Sequence, residues 1–257
     1  MHAELTLSAS TLIAFLLVLT RMTGAFLFTP MPGKGAGSSM PRILFSLACT
    51  FALFPQWPHV DASQATLGRM VMWLVSEIAL GVAIGLMVSF IAEALTFGAQ
   101  VLGLQAGYAY AAIVDPTTHD DSETLPVLAQ LLAGLLFFAV GLDGQVIRAF
   151  AASLHAYPPG TFVINRAFAA MVLGLAANVF SVGVRLALPV AGLLLMVDIA
   201  LALVGRIYSQ LQMSMHAFPA KMLLTLFMIA AVLAAAPRLY EALASDVFGN
   251  ISRYFAR

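Results

Sequence analysis

Six charged side chains stand within or beside long apolar runs: Glu77, Glu93, Asp143, Arg185, Asp198 and Arg206. A charge at the middle of a bilayer costs on the order of 2.5–3.5 kcal/mol. Each must therefore be paired, neutralised, or turned towards water or protein. Carboxylates in such places suit two kinds of chemistry, ion or proton binding and the polar fastening of packed helices. Asp143 and Asp198 also raise an intramembrane aspartyl dyad, but no supporting motif surrounds either. There is no G-x-S-x-G elbow, no Walker A loop and no H-E-x-x-H pair. The five histidines, His2, His59, His119, His155 and His216, are isolated in sequence, so no metal site is expected. Cys49 is the only cysteine, which excludes an intramolecular disulfide and a thiolate cluster. Neither catalysis nor a cofactor is expected.

The spacing around Glu77 is informative. Glu77, Gly81 and Gly85 fall at i, i+4 and i+8 and share one helix face. A carboxylate beside a groove of small residues predicts a close helix–helix contact with a polar fastening, the alternative being an ion site. Gly103 and Gly107 repeat the small-xxx-small spacing that lets backbones approach in membranes. Asp198 and Arg206 are two turns apart, too far for a direct pair, so their partners are expected on other helices.

The elements that must carry these residues are set by composition. Hydrophobic residues make up 61% of the 257 residues and charged residues only 9%, against about 25% charged in an average soluble domain. So few charges cannot cover a globular surface, and lipid or other apolar protein must do so. Basic and acidic side chains balance, 12 against 12, which offers no basic patch to nucleic acid. Apolar stretches occupy 5–29, 43–54, 70–114, 125–142, 146–156, 167–205 and 219–236, separated by connectors rich in Gly, Pro, Ser or charge. The first has no Lys or Arg ahead of it and reads as a retained membrane helix rather than a cleaved signal. A crossing helix needs about 20 residues. By that measure 43–54 is too short, while 70–114 and 167–205 are too long for one crossing. Long helices, kinked where Pro189 removes a hydrogen bond, or tight hairpins would satisfy the long runs. The expected fold is all-α, a polytopic membrane protein of long kinked helices and helical hairpins, in one domain over 1–257.

The order of several motifs resembles the FliR family of export-gate proteins, found in flagella and in type III injectisomes. Arg21, Pro30, Gly33 and Arg42 open the resemblance, followed by Glu77, Gly81 and Gly85. The stretch GAQVLGLQAGYAYAAIVDP, from Gly98 to Pro116, is similar to the family's Gly-rich helix, Gln-x-Gly and loop ending Asp-Pro. LALPVAGLLLMVDIALALVGRIYSQLQ and then FPAKMLL resemble its closing signature, with Asp198, Arg206 and Lys221 in place. The chain departs from the family at Gly103, where Asp is common, at Gly144-Gln145-Val146 in place of Gly-His-His, and at Ser209-Gln210 in place of Pro-Gln.

The resemblance implies a single-copy subunit, like a FliP-like part fused to a FliQ-like part, in a helical cone with five FliP-like and four FliQ-like copies. An FlhB-like subunit is a further partner, unfolded flagellar proteins are the cargo, and the place is the bacterial inner membrane at the flagellar basal body. It further implies a pore plug at Gly107, Tyr108, Ala109, Tyr110, Ala111, Ala112, Ile113, Val114, Asp115 and Pro116. The residues suit that role. Glycine permits departure from the helix, Pro116 favours extended backbone at Asp115, and Tyr108, Tyr110 and Ile113 are bulky enough to close a channel by excluding water. Buried polar and helix-packing roles are expected for Glu77, Gly81, Gly85, Glu93, Gly103, Gln105, Asp198, Arg206 and Lys221. Two other readings stay open: an injectisome homologue, and an ion-coupled transporter using Glu77, Glu93 and Asp198.

Overall fold

The computed structural model describes residues 8–30, 40–107, 124–207 and 213–255, and among these every regular element is helical. Helix α1 (Ala9–Phe26) starts where the Ser8 side chain accepts from the Thr11 N–H, the standard remedy for an unsatisfied first-turn donor. Its buried positions, Ala14, Leu17, Val18, Arg21, Met22 and Ala25, recur at three and four residues and form one stripe. Helix α2 (Met40–Ala52) has 13 residues, the length its short apolar run predicts. Its buried Ser46 and Thr50 each donate to the carbonyl four residues back, Arg42 O and Ser46 O, so neither hydroxyl is stranded. Phe26 meets Phe45 edge-on at 4.9 Å, which helps hold α1 against α2.

Two short 3-10 turns, Phe54–Gln56 and Ala62–Gln64, lead into α3 (Leu67–Ala106). With 40 residues, α3 is about 60 Å long. It stops at Gly107, whose φ of 87° is left-handed and whose N–H turns back to Leu104 O; such a cap suits glycine. Helices α4 (Thr124–Ala139) and α5 (Leu142–Ala156) are separated at Gly141, also left-handed at φ 72°. Asn165 caps α6 (Arg166–Ile207), accepting from the Phe168 N–H at 2.8 Å. Helix α7 runs from Met213 to Phe255.

The overlong runs are therefore long helices rather than hairpins. The helical assignment of α6 passes through Pro189, and that of α7 through Pro219 and Pro237. Two sequence expectations need correction. Residues 213–218, read as connector, belong to α7, and α7 continues well past the end of the apolar run at 236. The extension is amphipathic: Tyr240, Leu243, Ala244, Val247 and Ile251 are its buried face, and the charged Arg238, Glu241, Asp246 and Arg253 lie off it.

Packing groups the chain into two compact units. Unit 1 is drawn from 1–90, 141–175 and 244–257, and unit 2 from 91–140 and 176–243. The core of unit 1 includes Leu17, Met22, Leu80, Ile84, Met87, Phe150 and Ile251. That of unit 2 includes Leu102, Ala106, Ala187, Val190 and Leu194, flanked by Leu224, Met228 and Ile229. Among the described residues, α1, α3 and α6 are long and apolar enough to cross a membrane. Only 17% of the most apolar window of α6 is buried within the chain, against 56% for α3.

Candidate functional site

The most developed polar constellation lies inside unit 1. The buried stripe of α1 turns Arg21 towards Glu77 of α3, and the two side chains are 1% and 2% exposed. Arg21 Nε donates to Glu77 Oε2 at 2.5 Å and Nη2 to Oε1 at 3.0 Å, a two-pronged fit of guanidinium to carboxylate. The remaining donors point to α5 and its exit. Nη1 donates to Ser153 Oγ at 3.2 Å, and Nη2 also donates to the Tyr157 carbonyl at 2.9 Å. Ser153 Oγ in turn donates a hydrogen bond to Phe150 O at 2.7 Å. One guanidinium thus ties α1 to α3 and to the last turn of α5, where the free carbonyls of a helix end favour a cation.

Tyr157 enters this network only through its backbone. Burial, and then the neighbouring Tyr254, push its phenol up to about 12, so the ring stays neutral. It stacks on Tyr254 with centroids 6.0 Å apart.

Below Glu77 on the same face, the two glycines let the backbones of α1 and α3 come close. A Cβ on Gly81 would lie 2.1 Å from Arg21 O, and one on Gly85 would lie 2.2 Å from Ala25 O. Gly24 faces back, where a Cβ would be 3.1 Å from both Ile78 O and Val82 N. Arg21 and Ala25 on α1 therefore meet Gly81 and Gly85 on α3 with the same four-residue step, and the ion pair sits at one end of that seam.

The other predicted residues are placed differently. Among the described residues, Gly103 and Gly107 are not brought into a close backbone approach. A Cβ on Gly103 would meet only Leu125, at an ordinary 3.9 Å, and Gly107 lies beyond the helix end. The close approach in unit 2 is instead at Gly98 and Gly183, where a Cβ on Gly98 would lie 3.2 Å from Gly183 O and one on Gly183 3.1 Å from Ala94 O. Asp198 forms an ion pair with Lys221 on α7, with the two side chains 38% and 16% exposed. Its partner is on another helix, as the spacing required. Arg206 is exposed rather than buried; it occupies the last turn of α6, where a cation complements the helix dipole. Glu93 and Gln105 are half-buried on the unit 2 part of α3. Asp143 lies in the first turn of α5. Of the plug candidates only Gly107 is described; Tyr108, Ala109, Tyr110, Ala111, Ala112, Ile113, Val114, Asp115 and Pro116 lie outside the described residues.

Residues 12–247 match the family described as bacterial export proteins, family 1. The chain belongs to this family. Among the described residues, the match reaches into every α-helix and both units of this export-family protein. Its relatives include the flagellar biosynthetic protein FliR of Escherichia coli K12, 29% identical over 213 residues, or 82% of this chain and 80% of the relative. The protein of the same name from Pectobacterium carotovorum is 30% identical over 179 residues, 69% and 68% of the two chains. That of Caulobacter vibrioides is 29% identical over 210 residues, 80% and 83%. The chain is thus an export-family protein related to flagellar biosynthetic proteins, with helices apolar enough to span a membrane.

Sequence reading missed two members of the site and one buried hydrogen bond of unit 2. Ser153 and the Tyr157 carbonyl carry no type or spacing signal, because their link to Arg21 spans 132 and 136 residues. Tyr240, buried on α7, donates to Ala133 O at 2.8 Å within unit 2. A tyrosine recurring in register with Leu243, Ala244 and Val247 was the available hint.

Proposed function

We propose that the chain is a core subunit of the flagellar type III protein-export gate in the bacterial inner membrane, at the flagellar basal body. In this reading the whole chain acts as one family domain. It builds a protein-conducting pore with FliP-like and FliQ-like subunits, has an FlhB-like neighbour, and passes unfolded flagellar proteins without catalysing a reaction. Residues 107–116 plug the pore when it is closed.

Family membership over nearly the whole length carries this reading. Two structural features support it. The apolar surface of α6, including Leu173, Phe180, Leu188, Met196 and Ile207, is exposed in the isolated chain and requires lipid or sister subunits to cover it. Helix α3 ends at Gly107, so the chain leaves the helix where the plug candidates begin.

The ion-coupled transporter is less well supported, for a physical reason. A carboxylate that binds and releases an ion must be able to change partners. Glu77 has both oxygens engaged by a buried guanidinium, and Asp198 is paired with Lys221.

The plug is tested by replacing Tyr108, Tyr110, Ile113 and Val114 with glycine. The expected result is a gate that assembles normally but leaks ions and small solutes; unchanged permeability at normal assembly refutes the plug. A pull-down in mild detergent, followed by mass measurement, tests the subunit role. One copy of this chain among several FliP-like and FliQ-like copies is expected. Recovery of the chain alone, with solute uptake in liposomes, would favour the transporter.

A further inference from the structure

The last turns of α7 differ in kind from the apolar helices of unit 1. Over 244–255 the buried Ala244, Val247 and Ile251 recur at three and four residues, and half-buried Tyr254 continues the row. Ser245, Asp246, Ser252 and Arg253 are exposed on the other side. A segment so divided is soluble before it docks and buries a single stripe when it does. It docks on the turn between α5 and α6. Tyr254 stacks on Tyr157 and meets Phe168 at 5.1 Å, while Phe255 meets Tyr157 at 5.9 Å. Tyr254 Oη accepts from Asn165 Nδ2 at 3.2 Å.

Two further ties to this turn come from upstream segments. Arg21 Nη2 donates to the Tyr157 carbonyl, and Ser76 Oγ donates to Phe162 O at 3.1 Å. Both are polar, and neither covers the rings of Tyr157 and Phe168. Chain order brings their cover late. The earlier pieces of unit 1 end at residue 175, and 176–243 belongs to unit 2. Unit 2 therefore has all of its chain before unit 1 has its last piece. We propose that residues 244–255 are a strap that closes over the α5–α6 turn as a separate step, and that it opens again without the rest of the chain unfolding. Half-exposed segments of this kind open as local units ahead of a core. Opening bares Tyr157 and Phe168 and loosens the turn that presents its carbonyl to Arg21. The Arg21–Glu77 pair and the Gly81–Gly85 seam lie wholly within 1–90 and stay closed. The strap thus governs one arm of the polar site and not the other, independently of the plug and of the partners in the proposed gate.

The test is hydrogen exchange of the full chain in mild detergent. In the closed turn the amides of Tyr157, Thr161 and Phe168 are hydrogen-bonded to Ser153 O, Pro158 O and Asn165 Oδ1, so their exchange reports its opening. Peptides 157–168 and 244–255 are expected to exchange through one shared opening, ahead of 77–88 in the glycine seam and 187–194 in unit 2. Ile251→Ala with Tyr254→Ala removes a buried side chain and the stacked ring, and should speed exchange of both strap and turn by about tenfold or more. Exchange of 77–88 and 187–194 should stay at the wild-type rate. Tyr254→Phe keeps the stack and loses only the acceptor hydroxyl, so it should leave all four peptides close to wild type. Tyr254→Ala alone serves if the double variant does not fold. Acceleration of 244–255 while 157–168 keeps its wild-type rate would show that the turn does not depend on the strap, and the proposal fails. Equal acceleration of all four peptides would make 244–255 an inseparable part of the core, which overturns the separate step.

Discussion

Replacing Glu77 with leucine is expected to destabilise the purified protein by about 3–5 kcal/mol, the cost of leaving one charge of a buried pair without its partner. Arg21 is 1% exposed and receives no compensating water when the carboxylate is removed. Ser153 and the Tyr157 carbonyl remain as acceptors, but both are neutral and neither balances the guanidinium charge. Arg21→Leu should cost a similar amount, since Glu77 would then be a buried carboxylate with no cation. The double variant Arg21→Met with Glu77→Leu separates a structural fastening from a functional charge. Apolar side chains of similar volume often replace a buried pair at little cost, so the double variant should recover most of the melting temperature in detergent. If Glu77→Leu melts like the wild type, the buried pair is not there. If the double variant is as stable as wild type but fails to support motility, the pair has a role in export beyond packing.

The sequence made half of this fastening legible. Glu77 in an apolar run, with Gly81 and Gly85 at four-residue steps, announced a close and polar contact through helical geometry alone. What it closed against was not legible, because Arg21 precedes Glu77 by 56 residues and nothing in one sequence encodes a contact at that separation. The same logic separates the two glycine pairs. Gly103 and Gly107 have the spacing of Gly81 and Gly85, but spacing states only that an approach is permitted. The approach in unit 2 is made by Gly98 and Gly183 instead, again a pairing between distant segments. Fold class was easier, because apolar runs of this length leave few alternatives to helices. The reading failed where the run stopped. Beyond Pro237 the signal changes from continuous apolarity to a buried face at Tyr240, Leu243, Ala244, Val247 and Ile251, a periodic pattern visible only when residues are counted at helical spacing.

Gly85→Ala is expected to lower stability sharply, although alanine is by itself the better helix former. In an ordinary helix interior the exchange favours the folded state by about 0.8–1 kcal/mol. Here the added methyl would sit 2.2 Å from Ala25 O and 2.8 Å from Ala25 Cα. Carbon atoms pack at roughly 3.5–4.0 Å, so α1 and α3 would have to separate by about an ångström along the seam. Backbone is the obstacle, and no rotamer change relieves it. Overpacking in a core costs typically about 1–3 kcal/mol, and separating the seam also pulls Arg21 away from Glu77, which adds part of the ion-pair penalty. The net effect should exceed the helix-propensity gain several-fold. Gly81→Ala should behave alike, because its methyl would meet Arg21 O at 2.1 Å. Gly174→Ala in α6 supplies the control, since a Cβ there meets nothing within 4 Å, and that variant should be neutral or slightly stabilising in the isolated chain. Melting temperatures of the three variants in one detergent decide the matter. Equal values for Gly85→Ala and Gly174→Ala would mean that α1 and α3 do not cross at these glycines. A large loss at Gly85 and Gly81 alone would establish that the fastening and the groove act as one device, in which the close backbone approach is what brings the guanidinium within reach of its carboxylate.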